Sequence, residues 1–390
     1  MAGAVTAGAA PLLPGLPDEI VVWEILVLLP PKYLLRCRAV GRGWRRATST
    51  GAFLLAHHDR QPSLAVVSGY QKSGGYYKHI FAFDHRSADA QLQPVARLDN
   101  DKFFCLEASC DGLVILSSHT TSSPCFSVCN PATRQHALLR QPPASSLFSA
   151  LGMYLHSPSG EYRLLLYRSS NSESIIGHLL PEGQIGCYVI ALGSDQPPRY
   201  IGGPKEASAL FFDRPALVGD SLHWSPVQHQ NEKSGLVIVV FDTTAESFRH
   251  MRAPVVPTKS YIFEMDGTLA IYSYNGGMEI VDIWVLRNYE AGVWEYKYQV
   301  ELPVKEIRGQ VAKVEGSWLV NVVSVDGGIL LLVSYGQSLF CVDIDGKLVD
   351  SFHRDDQQLS SSRLRLKQSL VPHTFFTALE DYAVNASPFI

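Results

Sequence analysis

Residues 16–46 read LPDEIVVWEILVLLPPKYLLRCRAVGRGWRR, and the chain beyond this stretch obeys different rules. Asp18 follows Pro17 as an N-cap, and Glu19 falls in the first turn, where the helix dipole favours negative charge. Ile20, Trp23, Ile25, Leu26 and Leu29 supply a broad apolar face at roughly helical spacing. Pro30 and Pro31 stop that helix, and Pro31 opens the next one at its first position. Leu34, Leu35, Cys37, Arg38 and Val40 continue the helical pattern. Gly41 and Gly43 then mark a turn, Trp44 begins a basic segment with Arg45 and Arg46, and residues 51–55 form a final short helix. A unit of about 40 residues buries too little apolar surface to be robust alone. Its surplus of Leu, Ile, Val and Trp therefore calls for a second surface.

From residue 62 the pattern becomes strand-like. Short runs such as Leu113–Ser117, Cys187–Leu192, Val237–Phe241, Leu269–Tyr274, Ile329–Ser334 and Leu339–Asp343 are separated by turn residues. Turn pairs recur at Asp111-Gly112, Ser159-Gly160, Gly219-Asp220, Asp266-Gly267 and Asp326-Gly327, at intervals of about 45–60 residues. A second recurrence ends a strand in Asn or Asp before a polar turn: Cys129-Asn130-Pro131-Ala132-Thr133, Phe241-Asp242-Thr243-Thr244 and Val342-Asp343-Ile344-Asp345-Gly346. Repeats of that length suit the four-stranded blades of a β-propeller. About 320 residues at about 50–55 per repeat give six blades, with seven blades or an irregular β-sandwich as alternatives. The expected class is multidomain α+β: a leader over residues 1–13, a helical domain over 14–58, and an all-β domain over 60–385.

The chain has 390 residues with a formal net charge of −4, which leaves no electrostatic footprint for nucleic acid. Its seven cysteines are odd in number and scattered, which argues for a reducing compartment, cytoplasm or nucleus, over a disulfide framework. The N-terminus lacks a basic n-region, and the longest greasy run, Ile329–Val333, is too short to span a bilayer. No membrane partner is expected.

The opening stretch resembles an F-box. The likeness rests on Leu16-Pro17, Ile20, Glu24-Ile25-Leu26, Leu29-Pro30, Leu34-Leu35-Arg36-Cys37 and the Val40-to-Trp44 spacing, in order and near the N-terminus. The resemblance implies docking onto a Skp-type adaptor and, through it, onto cullin and RING subunits of a ubiquitin ligase. The adaptor-binding set it implies is Leu16, Pro17, Ile20, Ile25, Leu26, Leu29, Leu34, Leu35, Val40 and Trp44, shared between the interface and the segment's own core. Gly41 and Gly43 stand where bulkier residues are usual. Glycine costs roughly 1 kcal/mol in a helix interior, so weaker docking is expected. The remainder is similar to the F-box-associated regions of the large plant F-box families, which are kelch-like propellers. That likeness lies in Ser109-Cys110-Asp111-Gly112-Leu113, in Cys129-Asn130-Pro131-Ala132-Thr133-Arg134 and in Val218-Gly219-Asp220-Ser221-Leu222-His223-Trp224. It implies capture of a protein substrate whose identity the loops Ser169–Gly186 and Gln228–Gly235 do not spell out.

Other motifs read as structural. Gly219-Asp220-Ser221-Leu222 spells a lipase-like signature, but it lies mid-chain between β runs without a late Asp-x-x-His, so Ser221 is read as a turn residue. Cys125 and Cys129 with His119 and His136 fit no common zinc spacing and are read as strand thiols. His57-His58-Asp59 closes a helix, where a chargeable side chain suits the dipole. Asn385-Ala386-Ser387 is a glycosylation sequon followed by Pro388, and Arg36, Arg38, Arg42, Arg45 and Arg46 form a solvated basic face. The expectation is a non-catalytic substrate receptor without cofactor or metal. An adaptor-binding protein acting outside ubiquitination and a propeller hydrolase with channel acids are the rival readings.

Overall fold

The computed structural model describes residues 12–13, 15–71, 77–85, 91–99, 104–120, 123–140, 148–169, 184–210, 213–228, 235–257, 259–275, 279–311, 318–325, 328–354 and 356–379. The Asp326-Gly327 turn, the Asn385 sequon and most of the loops 169–186 and 228–235 lie outside them.

The strands form six antiparallel sheets, the six blades of a β-propeller. Blade 2 (Phe104–Cys110, Leu113–Thr120, Ser123–Asn130, Gln135–Leu138) shows the general plan, in which chain order follows spatial order from the channel outward. The innermost strands of blades 3 to 6 are Phe148–His156, Ala216–Val218, Ser260–Met265 and Leu319–Val325. Blade 1 departs from this plan. Its strands Ser63–Gln71, Tyr77–Asp84 and Gln91–Asp99 take their innermost partner from the far end of the chain, Gln357–Lys367. That pairing closes the ring.

Both turn recurrences now have a physical meaning. Asp111-Gly112, Ser159-Gly160, Gly219-Asp220 and Asp266-Gly267 each join an innermost strand to the second strand of its blade, and their glycines sit at φ +88, +69, +56 and +77. That left-handed backbone is cheap only for glycine. The Asn and Asp signals end the third strands of blades 2, 4 and 6. There Asn130 Oδ1 accepts from the amide of Ala132 at 3.0 Å, Asp242 Oδ1 from that of Thr244 at 2.9 Å, and Asp343 Oδ1 from that of Asp345 at 3.0 Å. These side chains fold the outer turn by standing in for a backbone acceptor.

The middle strands are apolar on both faces because each blade is covered on both sides. Leu236–Asp242 (LVIVVFD) and Gly328–Tyr335 (GILLLVSY) are near-continuous hydrophobic runs. Six buried clusters result, one between each neighbouring pair of blades, from Val66, Ile80 and Leu116 between blades 1 and 2 round to Phe83, Leu332 and Leu339 between blades 6 and 1. The closing strand serves two of them, with Leu359 facing blade 6 and Leu364 and Leu366 facing blade 2.

The N-terminal segment is helical, with its first helix irregular. It runs from an α turn (Asp18–Ile20) through a π turn (Val21–Ile25) to a 3₁₀ turn (Leu26–Leu28). Helices Pro31–Val40, Arg42–Thr48 and Gly51–Arg60 follow, the last capped by Thr50 Oγ1 accepting from the amide of Phe53 at 3.2 Å. Two expectations need correction. Pro17, not Asp18, holds the N-cap position, and the Asp18 carboxylate instead accepts from the amide of Leu12 at 2.7 Å. Because the first helix changes pitch, its inward face is Val21, Val22, Leu26 and Val27, while Ile20, Trp23 and Ile25 are exposed. Leu12 and Leu13, assigned to the leader, pack against this helical core.

The closing strand makes the fold sensitive at one place. Replacing Leu366, which is 1% exposed, with alanine should cost about 2–5 kcal/mol. Thermal unfolding should show a lower midpoint for Leu366→Ala and no comparable change for Val349→Ala, whose side chain is exposed.

Candidate interaction surfaces

The helical core of Val21, Val22, Leu26, Val27, Leu34, Phe53 and Leu54 is completed by Leu370, with Val371 and Ala132 packed beside it. The last three come from the propeller side, so the helical unit finishes its own core on the ring. Two polar links reinforce the junction. His58 meets Asp111 at 3.6 Å, and Asn130 Nδ2 donates to the carbonyl of Ser369, which leads into Leu370, at 3.0 Å. Tyr162 Oη also donates to Asp111, and the His58 and Tyr162 bonds together hold the Asp111 carboxyl below its ordinary pKa. His57 is buried and bonds the carbonyl of Leu29 at 2.8 Å. Its role is thus core packing, which replaces the dipole reading of this histidine.

The opposite side of the unit is apolar and exposed among the described residues. Of the ten residues in the adaptor set, Leu26 and Leu34 are buried in the internal core, and Leu29 and Trp44 are half-buried against it. Leu16, Pro17, Ile20, Ile25, Leu35 and Val40 are exposed, Val40 by 84%. Trp23, Leu28, Tyr33 and Leu55 are exposed as well. Helical spacing puts Trp23 on the apolar face and gives Leu28, Tyr33 and Leu55 no facing, so it does not reveal these four as surface residues. Gly41 is not in a helix interior: it is extended (φ −147) between two helices, and a Cβ there would lie 2.8 Å from Trp44 Cδ1. The expected interior penalty for that glycine therefore does not apply. At Gly43 a Cβ would come 2.9 Å from Leu12 Cδ2.

The second surface is the central channel. Arg214, on the approach to blade 4, donates to Glu107 of blade 2 at 2.8 Å and to the Leu106 carbonyl at 3.0 Å, while Ser117 Oγ donates to the same carboxylate at 2.5 Å. From blade 1, Arg363 crosses the ring to pair with Asp213 beside blade 4, donates to Ser225 Oγ at 3.3 Å and lies 4.7 Å from the Tyr261 ring centroid. A bulge makes this reach possible: Ser362, Arg363 and Leu364 stand opposite Val66 alone, and such an insertion re-aims a side chain out of the ladder. Beside these crossings lies a cavity of about 290 Å³ lined by residues of all six blades. No sequence signal marks it: Asp213 and Arg214 precede the blade 4 strand, and Arg363 and Arg365 sit in the polar run SSSRLRLK.

The motifs set aside earlier fall into place. Gly219-Asp220 is a turn, and Ser221 pairs with Val218 and Asp242 in the blade 4 ladder. His223 bonds Tyr289 Oη at 2.7 Å, and burial lowers its pKa to about 4. Trp224 is fully buried between blades 3 and 4. Cys129 is buried, with its thiol pKa raised by desolvation. Among the described residues no three His, Cys, Asp or Glu side chains gather as a metal site, and the His119 side chain lies outside them. Arg36, Arg42, Arg45 and Arg46 are exposed, while Arg38 turns back to bond Thr48.

A family model for the F-box associated beta propeller domain matches residues 53–344. The chain belongs to this family. Relatives in Arabidopsis thaliana include F-box protein CPR1, 24% identical over 317 residues that cover 73% of this chain and 72% of that protein. F-box protein At5g10340 is 24% identical over 74% of this chain and 69% of its own length. F-box protein At5g49610 is 22% identical over 73% of this chain and 79% of its own length. The family match takes in blades 2 to 5 whole and the Asp111 and Asn130 turns on which the helical unit rests.

The junction has a pH signature. Burial depresses the His57 imidazole below its ordinary value, the Leu29 bond opposes that shift, and Arg38 adds to it. Nδ1 of the same ring is buried without a partner, so a second proton has no acceptor. The unfolded chain takes up that proton near pH ~6.5 while the fold resists it, so stability present at neutral pH is lost as pH falls below about 6.5. The unfolding midpoint should therefore drop between pH 6.5 and 5. A His57→Gln variant should drop less over the same interval, and an equal drop would place the effect elsewhere.

Proposed function

We propose that this chain is the substrate-recognition subunit of a Skp–cullin–F-box-type ubiquitin ligase, acting in cytoplasm or nucleus. The observation that carries the reading is the division of the ordered motif. Its buried members hold the helical unit together and seat it on the propeller. Its exposed members, Leu16, Ile20, Ile25, Leu35 and Val40, leave an apolar face that no described residue covers. An apolar patch of this kind on a polar protein marks a partner site, and a Skp-type adaptor is the partner that the motif order implies. Cullin and RING subunits follow through the adaptor, and the propeller presents the protein to be modified.

A receptor without chemistry of its own agrees with the channel. Glu107 and Asp213 each pair with an arginine, so both carboxylates are engaged within the protein. Tethering then does the work, by raising the local concentration of substrate lysines near the charged ubiquitin.

The division also selects the right variants. Leu34 is fully buried, so Leu34→Ala would weaken the helical unit itself by about 2–5 kcal/mol and confuse docking with folding. Leu35→Asp with Val40→Asp alters only exposed positions. In a pull-down with purified Skp-type adaptor the double variant should lose most of the binding at an unchanged unfolding midpoint. Adaptor binding equal to the parent protein's would sink the proposal. Co-purification of cullin with the adaptor separates this reading from an adaptor-binding role outside ubiquitination.

A further inference from the structure

Most charges around the channel cavity are matched within the protein: Arg214 with Glu107, Arg363 with Asp213, and Asp111 with His58. Lys367 meets Asp111 only through space. Arg365, also on the closing strand, lacks such a match. Its guanidinium donates to the Ser63 carbonyl at 2.6 Å through Nη2 and to the Ser63 hydroxyl at 3.4 Å through Nε. A guanidinium carries five N–H donors, so the Nη1 side has no acceptor among the described residues. The carboxylate that acts on it, Glu264 of blade 5, does so through space, and one oxygen of Glu264 is engaged by the Gly267 amide at 2.6 Å. Desolvation lowers the pKa of Arg365. The guanidinium is half-buried at the cavity wall, so its unused donors stay open to an acceptor from outside.

The surroundings say what that partner is. Arg365 and Glu264 both line the cavity, as do Met153, Leu222 and Phe263. We propose that the channel cavity binds a small monocarboxylate, seated on the unused donors of Arg365 with its apolar remainder against Met153, Leu222 and Phe263. The planar guanidinium fork matches a carboxylate in two parallel hydrogen bonds. Glu264 sets the charge limit, because a second negative group in the same cavity meets a carboxylate that forms no salt bridge among the described residues. The cavity of about 290 Å³ lies at the low end of small-molecule sites, which limits the ligand to a single ring or a short chain. A free organic acid and the C-terminal carboxylate of a peptide offer the same group, so both belong in the test. The site is independent of the helical face, and it stands whether or not an adaptor docks there.

The experiment is calorimetric titration of the full-length protein with benzoate, phthalate, and a leucine-ended tripeptide carrying either a free or an amidated C-terminus. Benzoate or the free-acid peptide should bind, and phthalate and the amidated peptide should not. Binding of benzoate alone assigns the site to a free acid, and binding of the free-acid peptide assigns it to a chain terminus. Arg365→Gln should weaken binding about tenfold or more, the scale of one charge-assisted hydrogen bond. Glu264→Gln should tighten benzoate and admit phthalate, which tests the site without touching the arginine should Arg365→Gln fold poorly. Absence of binding by both carboxylate probes at millimolar concentration overturns the proposal. So does a folded Arg365→Gln protein with parental affinity, or a Glu264→Gln protein with unaltered preference.

Discussion

The antiparallel pairing of Ser63–Gln71 with Gln357–Lys367 is the constraint on which the rest of the molecule rests. Each blade is greasy on both faces, and a row of such blades would leave two faces in water. Joining the first three strands to the last one removes both exposed faces at once, since Leu359 covers blade 6 and Leu364 and Leu366 cover blade 2. The same strand bulges at Ser362–Leu364 to send Arg363 across the channel, and its continuation delivers Leu370 into the helical core. Ring, channel and docking unit therefore depend on one length of chain. Blade 2, whose Gly112 approaches the Lys367 carbonyl, abuts that strand with no room for a side chain.

The two ends of the molecule are held at a fixed relation. Only Gln61 and Pro62 separate helix Gly51–Arg60 from the first strand, and Gln61 is buried. Leu370 and Asp111 brace the unit from two parts of the ring, and Asn130 holds the stretch that carries Leu370. Whatever docks on the exposed helical face is thereby set at a definite angle to whatever the propeller holds. A receptor that works by proximity benefits from such a brace, because a short rigid span keeps effective concentration high only when the geometry is right.

Much of the fold was legible in the residues, and the reasons are specific. The Asp-Gly and Gly-Asp pairs announced the inner hairpins because left-handed backbone restricts the residues that can stand there. Blade 1 gave no such signal, since its innermost strand has no hairpin to its neighbour; only topology reveals that residue 366 belongs beside residue 64. Within the helical unit the order of the motif was plain while the facing of its side chains was not. A π turn followed by a 3₁₀ turn shifts the register between Val21 and Leu28, and spacing at 3.6 residues per turn then assigns Ile25 inward and Val27 nowhere. The channel was the least readable part. Arg363 and Asp213 are 150 positions apart in chain order and meet only because blades 1 and 4 face each other across the ring.

Ring closure by the final strand also orders events in time. The ribosome releases the helical segment and blade 1 first, yet both wait for residues 357–371 before their cores are complete. Until then the nascent chain exposes an unpaired edge at Ser63–Gln71 and apolar blade faces, the features that recruit wrong partners. Contacts spanning some 300 residues are slow to form. A chain cut short by a premature stop would lack both its ring and the prop beneath its helical unit. Quality control is in this sense written into the connectivity: the helical unit and the propeller are both completed late, by one continuous length of chain.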